Sequence, residues 1–128
     1  MKLLLDTHVF IWWDSDPVKL SKKALALCSD PGNTLFLSVA SAWEMQIKLQ
    51  LGKMKLGFPL PDIIKEQRKD NGLQVISVEL EHVMALQSLP AHHKDPFDRL
   101  LIAQAQAENL VLVSKDKIFS NYQIDLVW

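Results

Sequence analysis

The chain has 128 residues, 48% of them hydrophobic, and a formal net charge of −1. That is enough apolar material for one buried core, and near-neutrality argues against both a strongly basic nucleic-acid coat and an acidic disordered tail. The single cysteine, Cys28, excludes an intrachain disulfide and suits a reducing cytoplasm, and no apolar run is long enough to span a membrane.

The first apolar run, residues 2–5, ends at Asp6 and reads as a buried strand. The opening MKLLLDTHVFIWW begins like a signal peptide, but Asp6 and His8 interrupt it and no small-residue cleavage site follows. Residues 8–13 start a short helix that Asp16-Pro17 breaks, and Ser21 introduces a helical stretch to about Ser29, in which Cys28 reads as a small core residue. Asp30-Pro31-Gly32-Asn33 is a turn, and residues 35–37 form a second buried strand. Residues 39–51 are helical, with Ala40, Trp43, Ile47 and Leu51 on one apolar stripe and Gly52 as the stop.

Pro59 and Pro61 open a further helix through Lys69, which Asn71-Gly72 ends. Residues 73–77 alternate and carry β-branched side chains, which predicts a third strand. Residues 79–88 are helical again. Residues 97–108 are apolar on most faces and predict a largely buried helix. Residues 110–113 form a fourth buried strand and 124–127 a short fifth. No repeat, low-complexity tract or linker divides the chain, so one domain over residues 1–128 is expected.

Strands that are continuously apolar and alternate with helices predict an α/β fold with a parallel sheet flanked by helices. Ligands of such sheets lie beyond the carboxyl ends of the strands. Asp6 directly follows strand one, and Glu44 lies in the second turn of the helix after strand two. Asp98 is in the first turn of the helix before strand four, which must start at the same edge to run back to it. Asp116 follows strand four by three residues. Four carboxylates from distant positions are thus predicted on one rim. Such a cluster resists ionisation until a cation joins it, and hard oxygen donors without a soft partner suit Mg²⁺ or Mn²⁺. An ion so held activates water and stabilises charge on a phosphodiester.

Each acid also has a plainer explanation. Asp95 in Asp95-Pro96-Phe97-Asp98 reads as a helix N-cap with proline at the first helical position, and Asp98 then falls where a capping-box acid sits. Glu44 and Lys48 are spaced as a surface ion pair, and Asp116 lies between two lysines. Asp6, closing an apolar run, is the hardest to explain without chemistry.

Taken together, three blocks resemble the PIN-domain ribonucleases, and within them the VapC-like toxins of bacterial toxin–antitoxin pairs. These are the opening MKLLLDTHVFIWW, the middle block LSVASAWEMQIKLQLGKMKL with Glu44, and HHKDPFDRLLIAQAQAENLVLVSKD. The resemblance implies a five-stranded parallel sheet of order 3-2-1-4-5 and Mg²⁺- or Mn²⁺-dependent endonucleolytic cleavage of RNA. It also implies a cognate antitoxin and a homodimer. Its acidic set falls on Asp6, Glu44, Asp98 and Asp116, with Asp95 as a neighbouring acid. Thr7, Ser38 and Ser114 fall where small hydroxyl residues support the metal. Lys48, Lys53, Lys55, Arg99, Lys115 and Lys117 are candidates for steering the RNA backbone, where phosphate contacts set position rather than sequence.

Three other readings compete. A haloacid-dehalogenase-type phosphatase needs a second aspartate where this chain has His8. A zinc site from His82, His92 and His93 lacks any cysteine pair. A PIN-like module that binds RNA or protein without cutting is the non-enzymatic rival, distinguished by an RNase assay. Trp12, Trp13 and Trp43 suit either a core or a partner surface, with one of Trp12 and Trp13 expected at a partner.

Overall fold

The computed structural model describes residues 1–128. Five strands, β1 (Lys2–Leu5), β2 (Thr34–Ser38), β3 (Gln74–Ile76), β4 (Val111–Val113) and β5 (Leu126–Val127), form one sheet of order β3-β2-β1-β4-β5. Every pairing is parallel. Six α-helices accompany them: α1 (Thr7–Ser15), α2 (Lys22–Ser29), α3 (Val39–Gln50), α4 (Leu60–Asn71), α5 (Leu80–Ala85) and α6 (Pro96–Glu108). The expected sheet order is the observed one. No helix is long and apolar enough to cross a membrane.

The two-residue period of a strand explains the two cores. Leu3 and Leu5 of β1 point to one face with Leu35, Leu37 and Val113, where Val9, Phe10, Ala24, Cys28, Leu60 and Ile63 cover them. Leu4 points to the other face with Leu112, against Leu101, Ile102 and Ala105 of α6 and against Phe119 and Tyr122. The central strand is therefore apolar from Leu3 to Leu5, because both its faces are covered there. Cys28 is buried as expected, and burial pushes its thiol up to about 11.

Local signals set the helix ends. Ser21 caps α2 by accepting from the Ala24 amide at 3.0 Å, and Ser38 caps α3 through the Ala40 amide at 3.0 Å. Gly72 ends α4 in the left-handed conformation at φ 66°, so the helix runs to Asn71, two residues past Lys69. The helix expected over 79–88 divides into α5 and a 3₁₀ turn at Leu86–Ser88.

The apolar stripe assigned to α3 needs correction. Trp43 and Leu51 are 60% and 62% exposed, whereas the buried face is Ala40, Ser41, Glu44 and Met45. The inward face of α3 was harder to see because it carries the polar residues that border the sheet rim. Trp43 instead meets Phe97 of α6 edge-on, with ring centroids 5.3 Å apart. Trp12 and Trp13, by contrast, are half-buried against the first core.

Leu4→Ala removes a fully buried side chain from the middle of the second core. Urea denaturation should show a loss of about 2–5 kcal/mol. A loss below about 1 kcal/mol would contradict the two-sided burial of β1.

Candidate active site

The four expected acids meet. Asp6, Glu44, Asp98 and Asp116 line one cleft of about 410 Å³, together with Asp95, His8, Val9, Trp12, Lys48 and Lys115. Its wall thus carries five carboxylates against two lysines.

Each acid is held by a distinct local device. Asp6 is the N-cap of α1, its Oδ1 3.4 Å from the His8 amide, and its Oδ2 accepts the Ser114 hydroxyl at 2.5 Å. Ser114 Oγ also accepts the Asp116 amide at 3.1 Å, so one hydroxyl ties the ends of β1 and β4 together. Asp116 caps the 3₁₀ helix Lys117–Asn121 through the Ile118 amide. Glu44 receives the Thr7 hydroxyl at 2.7 Å on Oε1 and pairs through Oε2 with Lys48 at 3.2 Å. The surface-pair explanation of Glu44 therefore accounts for one oxygen only, and the residue is buried.

Asp95 is the N-cap of α6, accepting from the amides of Phe97 and Asp98 at 2.9 and 3.0 Å. Asp98, one turn in, aims its Oδ2 at His93 Nε2, 2.7 Å away. Cap and cleft roles are compatible for Asp95, which also lines the cleft. Ser38 does not line it. Its buried hydroxyl starts α3 and so sets the phase that carries Glu44 inward.

Burial pushes the Asp6 carboxyl above its ordinary range, opposed by the Ser114 hydrogen bond and His8, while Glu44 adds to the rise. Asp98 is pushed up to about 6, first by burial and then by the charges of Asp6 and Asp95, with His93 opposing. These are the marks of anions crowded into a partly dry site that lacks positive charge.

One expectation about cations is corrected. Arg99, expected to steer RNA, turns away from the cleft: its guanidinium donates to the carbonyls of Leu86, Leu89, Pro90 and His93. A fork with five donors suits a loop that turns several carbonyls toward it better than a single phosphate. Lys53, on the turn after α3, is exposed and outside the cleft wall, as are Lys55 and Lys117. Lys48 and Lys115 line it.

Sequence reasoning weighed His93 as part of a zinc site and missed its contact with Asp98. Its spacing five residues before Asp98 spans a loop and a helix start, so no helical or strand period signals it. The three-histidine zinc alternative fails. His82 is fully buried, with Nδ1 accepting the Glu79 amide and Nε2 toward Glu108 at 3.1 Å. His92 stacks edge-on to Tyr122. With its Nδ1 lone pair taken by an amide, His82 keeps its proton on Nε2 and donates it to Glu108 rather than ligating an ion.

A parallel 3-2-1-4-5 sheet with an acidic cleft at the carboxyl ends of its central strands describes a PIN-like protein. A family model for the PIN domain matches residues 3–124, and the chain belongs to that family. It is 25% identical over 116 residues to ribonuclease VapC22 of Mycobacterium tuberculosis, covering 90% of this chain and 87% of that protein. Its fold is similar to that in a crystal structure of VapBC2 from Rickettsia felis bound to a promoter DNA fragment. There the TM-score is 0.72 at 18% identity, over 99% of this chain and 98% of that one. DNA-bound VapBC from Salmonella typhimurium gives a TM-score of 0.67 at 14% identity, over 99% and 97%.

The raised Asp98 carboxyl has a consequence for stability. A carboxylate whose folded-state value lies above its unfolded one opposes folding when ionised, so metal-free protein should gain stability as pH falls from above 6 toward 4. Asp98→Asn should lessen that gain and add on the order of 1–2 kcal/mol to metal-free stability at pH 7 after allowing for partial solvent screening, seen as a higher melting temperature. Differential scanning calorimetry in chelator checks this. A lower melting temperature for the variant would assign Asp98 a structural role instead.

Proposed function

We propose that this chain is a divalent-cation-dependent endoribonuclease and the toxin of a toxin–antitoxin pair, acting in the cytoplasm. The observation that carries the reading is the convergence of Asp6, Glu44, Asp98 and Asp116 on one cleft with Lys48 and Lys115 beside them. Similarity to ribonuclease VapC22 supports RNA as substrate, and likeness to the VapBC assemblies supports a cognate antitoxin as partner. A homodimer belongs to the same reading, as does a single catalytic domain over residues 1–128.

The donor set fits Mg²⁺ or Mn²⁺: the acids that line the cleft offer hard oxygens, no thiolate joins them, and burial with mutual repulsion makes them poor neighbours without a cation. Asp6 and Asp98 would be its principal ligands, with Glu44 and Asp116 in support. When bound, such an ion polarises phosphodiester oxygens and lowers the pKa of a coordinated water.

The chain's own residues do the rest. Ser114 fixes the rotamer of Asp6, and Thr7 fixes that of Glu44. Lys48 and Lys115 attract the RNA backbone and set its position over the acids. Lys48 is held at the cleft by Glu44 itself. Asp95 keeps the first turn of α6 formed, and so keeps Asp98 in place. The completeness of the acidic set is what favours cleavage over simple RNA binding.

Asp6→Asn should keep the circular dichroism spectrum and lower metal-dependent RNA cleavage by more than about 100-fold, beyond what losing a mere supporting partner costs. Chelation should silence the wild type, and added Mg²⁺ or Mn²⁺ should restore it. Undiminished cleavage by highly purified Asp6→Asn protein would falsify the assignment. RNA binding without cleavage by the wild type would favour the non-catalytic module.

A further inference from the structure

We infer that His93 is a positioning residue: its Nε2–H holds Oδ2 of Asp98 and so orients that carboxylate toward the cation. The inference rests on reading the cleft as a divalent-cation site, and it assigns a role to a residue outside the acidic set.

His93 Nε2 lies 2.7 Å from Asp98 Oδ2. A carboxylate oxygen offers only lone pairs, so a contact this short places the hydrogen on Nε2, with His93 donating. Asp98 makes no other side-chain hydrogen bond, which leaves Oδ1 without a protein partner. The terminal torsion of an aspartate is broad and roughly two-fold. One donor on one oxygen is enough to select a single orientation.

The bond borders the cleft, since its acceptor Asp98 lines the wall and Asp116 of the same wall is close by. Ligand atoms of His93, Asp98 and Asp116 all fall within 4.8 Å of one another. Because Nε2 is committed to Asp98, His93 acts on an ion through that carboxylate.

The loop that carries His93 is fixed on both sides of the residue. Its backbone N–H donates to the Tyr122 hydroxyl at 2.9 Å, and its carbonyl accepts from Arg99 at 3.2 Å. Tyr122 donates in turn to the Pro90 carbonyl at 2.9 Å, which Arg99 also reaches at 3.0 Å. The His93 ring stands edge-on to Phe119, centroids 6.1 Å apart at 90°. A segment with no regular hydrogen-bond ladder is thereby given one backbone position, and it presents the imidazole to Asp98.

The test is Mn²⁺ affinity measured by isothermal titration calorimetry on the full chain, with wild type, His93→Ala and His93→Gln, each checked for folding by thermal melting in chelator. Glutamine carries an amide nitrogen close to the place of Nε2 and can donate the same bond. His93→Ala should weaken binding by about 10–100-fold, the usual cost of losing a hydrogen-bond partner of a ligating group, and His93→Gln should recover most of it. Wild-type affinity in His93→Ala overturns the inference. So does equal weakening in both variants, which would assign the role to ring packing on Phe119 or to direct ligation. Should His93→Ala not fold, His93→Gln alone decides, with near-wild-type affinity expected. Failure of the wild type to bind Mn²⁺ at all would overturn the cation-site reading itself, a result separate from those on His93.

Discussion

Asp6 follows the middle strand of a sheet covered on both faces, so its carboxylate is placed where water is scarce before any other residue is considered. An ionised carboxylate there needs donors or a cation. Ser114 from the neighbouring strand gives it one hydroxyl, and the His8 amide gives a second, longer contact. Neither offsets the burial fully, since the carboxyl stays above its ordinary range. Glu44 and Asp98 then add negative charge to the same cleft. The result is a rim of crowded, partly buried carboxylates faced by two lysines.

The rim is also a row of helix N-termini. Asp6, Asp95 and Asp116 each cap the helical segment that follows them, and Ser38 does the same for α3. A helix start offers unpaired amides and the positive end of the peptide dipoles. Parallel topology sends the ends of β1, β2 and β4 on this edge into such starts. Cap and cleft acid are thus not rival explanations: in Asp95 and Asp116 the cap takes Oδ1 and leaves Oδ2 without a protein donor.

Arg99 illustrates how an arginine beside an acidic site can serve the scaffold. It lies one residue after Asp98, yet its guanidinium reaches back over the loop before α6 and satisfies four of its carbonyls. The cations that do line the cleft are Lys48 and Lys115, which come from a helix and from just beyond the end of a strand. The cleft keeps its deficit of positive charge because the nearby guanidinium is turned to backbone oxygens.

Much of this protein is legible in the order of its residues. Apolar strands, capping serines, Asn71-Gly72 and the proline at the start of α6 act within a few positions, so the elements and the parallel sheet follow from local pattern. The convergence of Asp6, Glu44, Asp98 and Asp116 follows too, because parallel topology assigns every strand end to one of two edges. Only tertiary structure decided which face of α3 is inward, where Arg99 points and that His93 meets Asp98. Those outcomes depend on side chains reaching across loops to partners far along the chain, and no period of 2 or 3.6 residues records a contact of that kind.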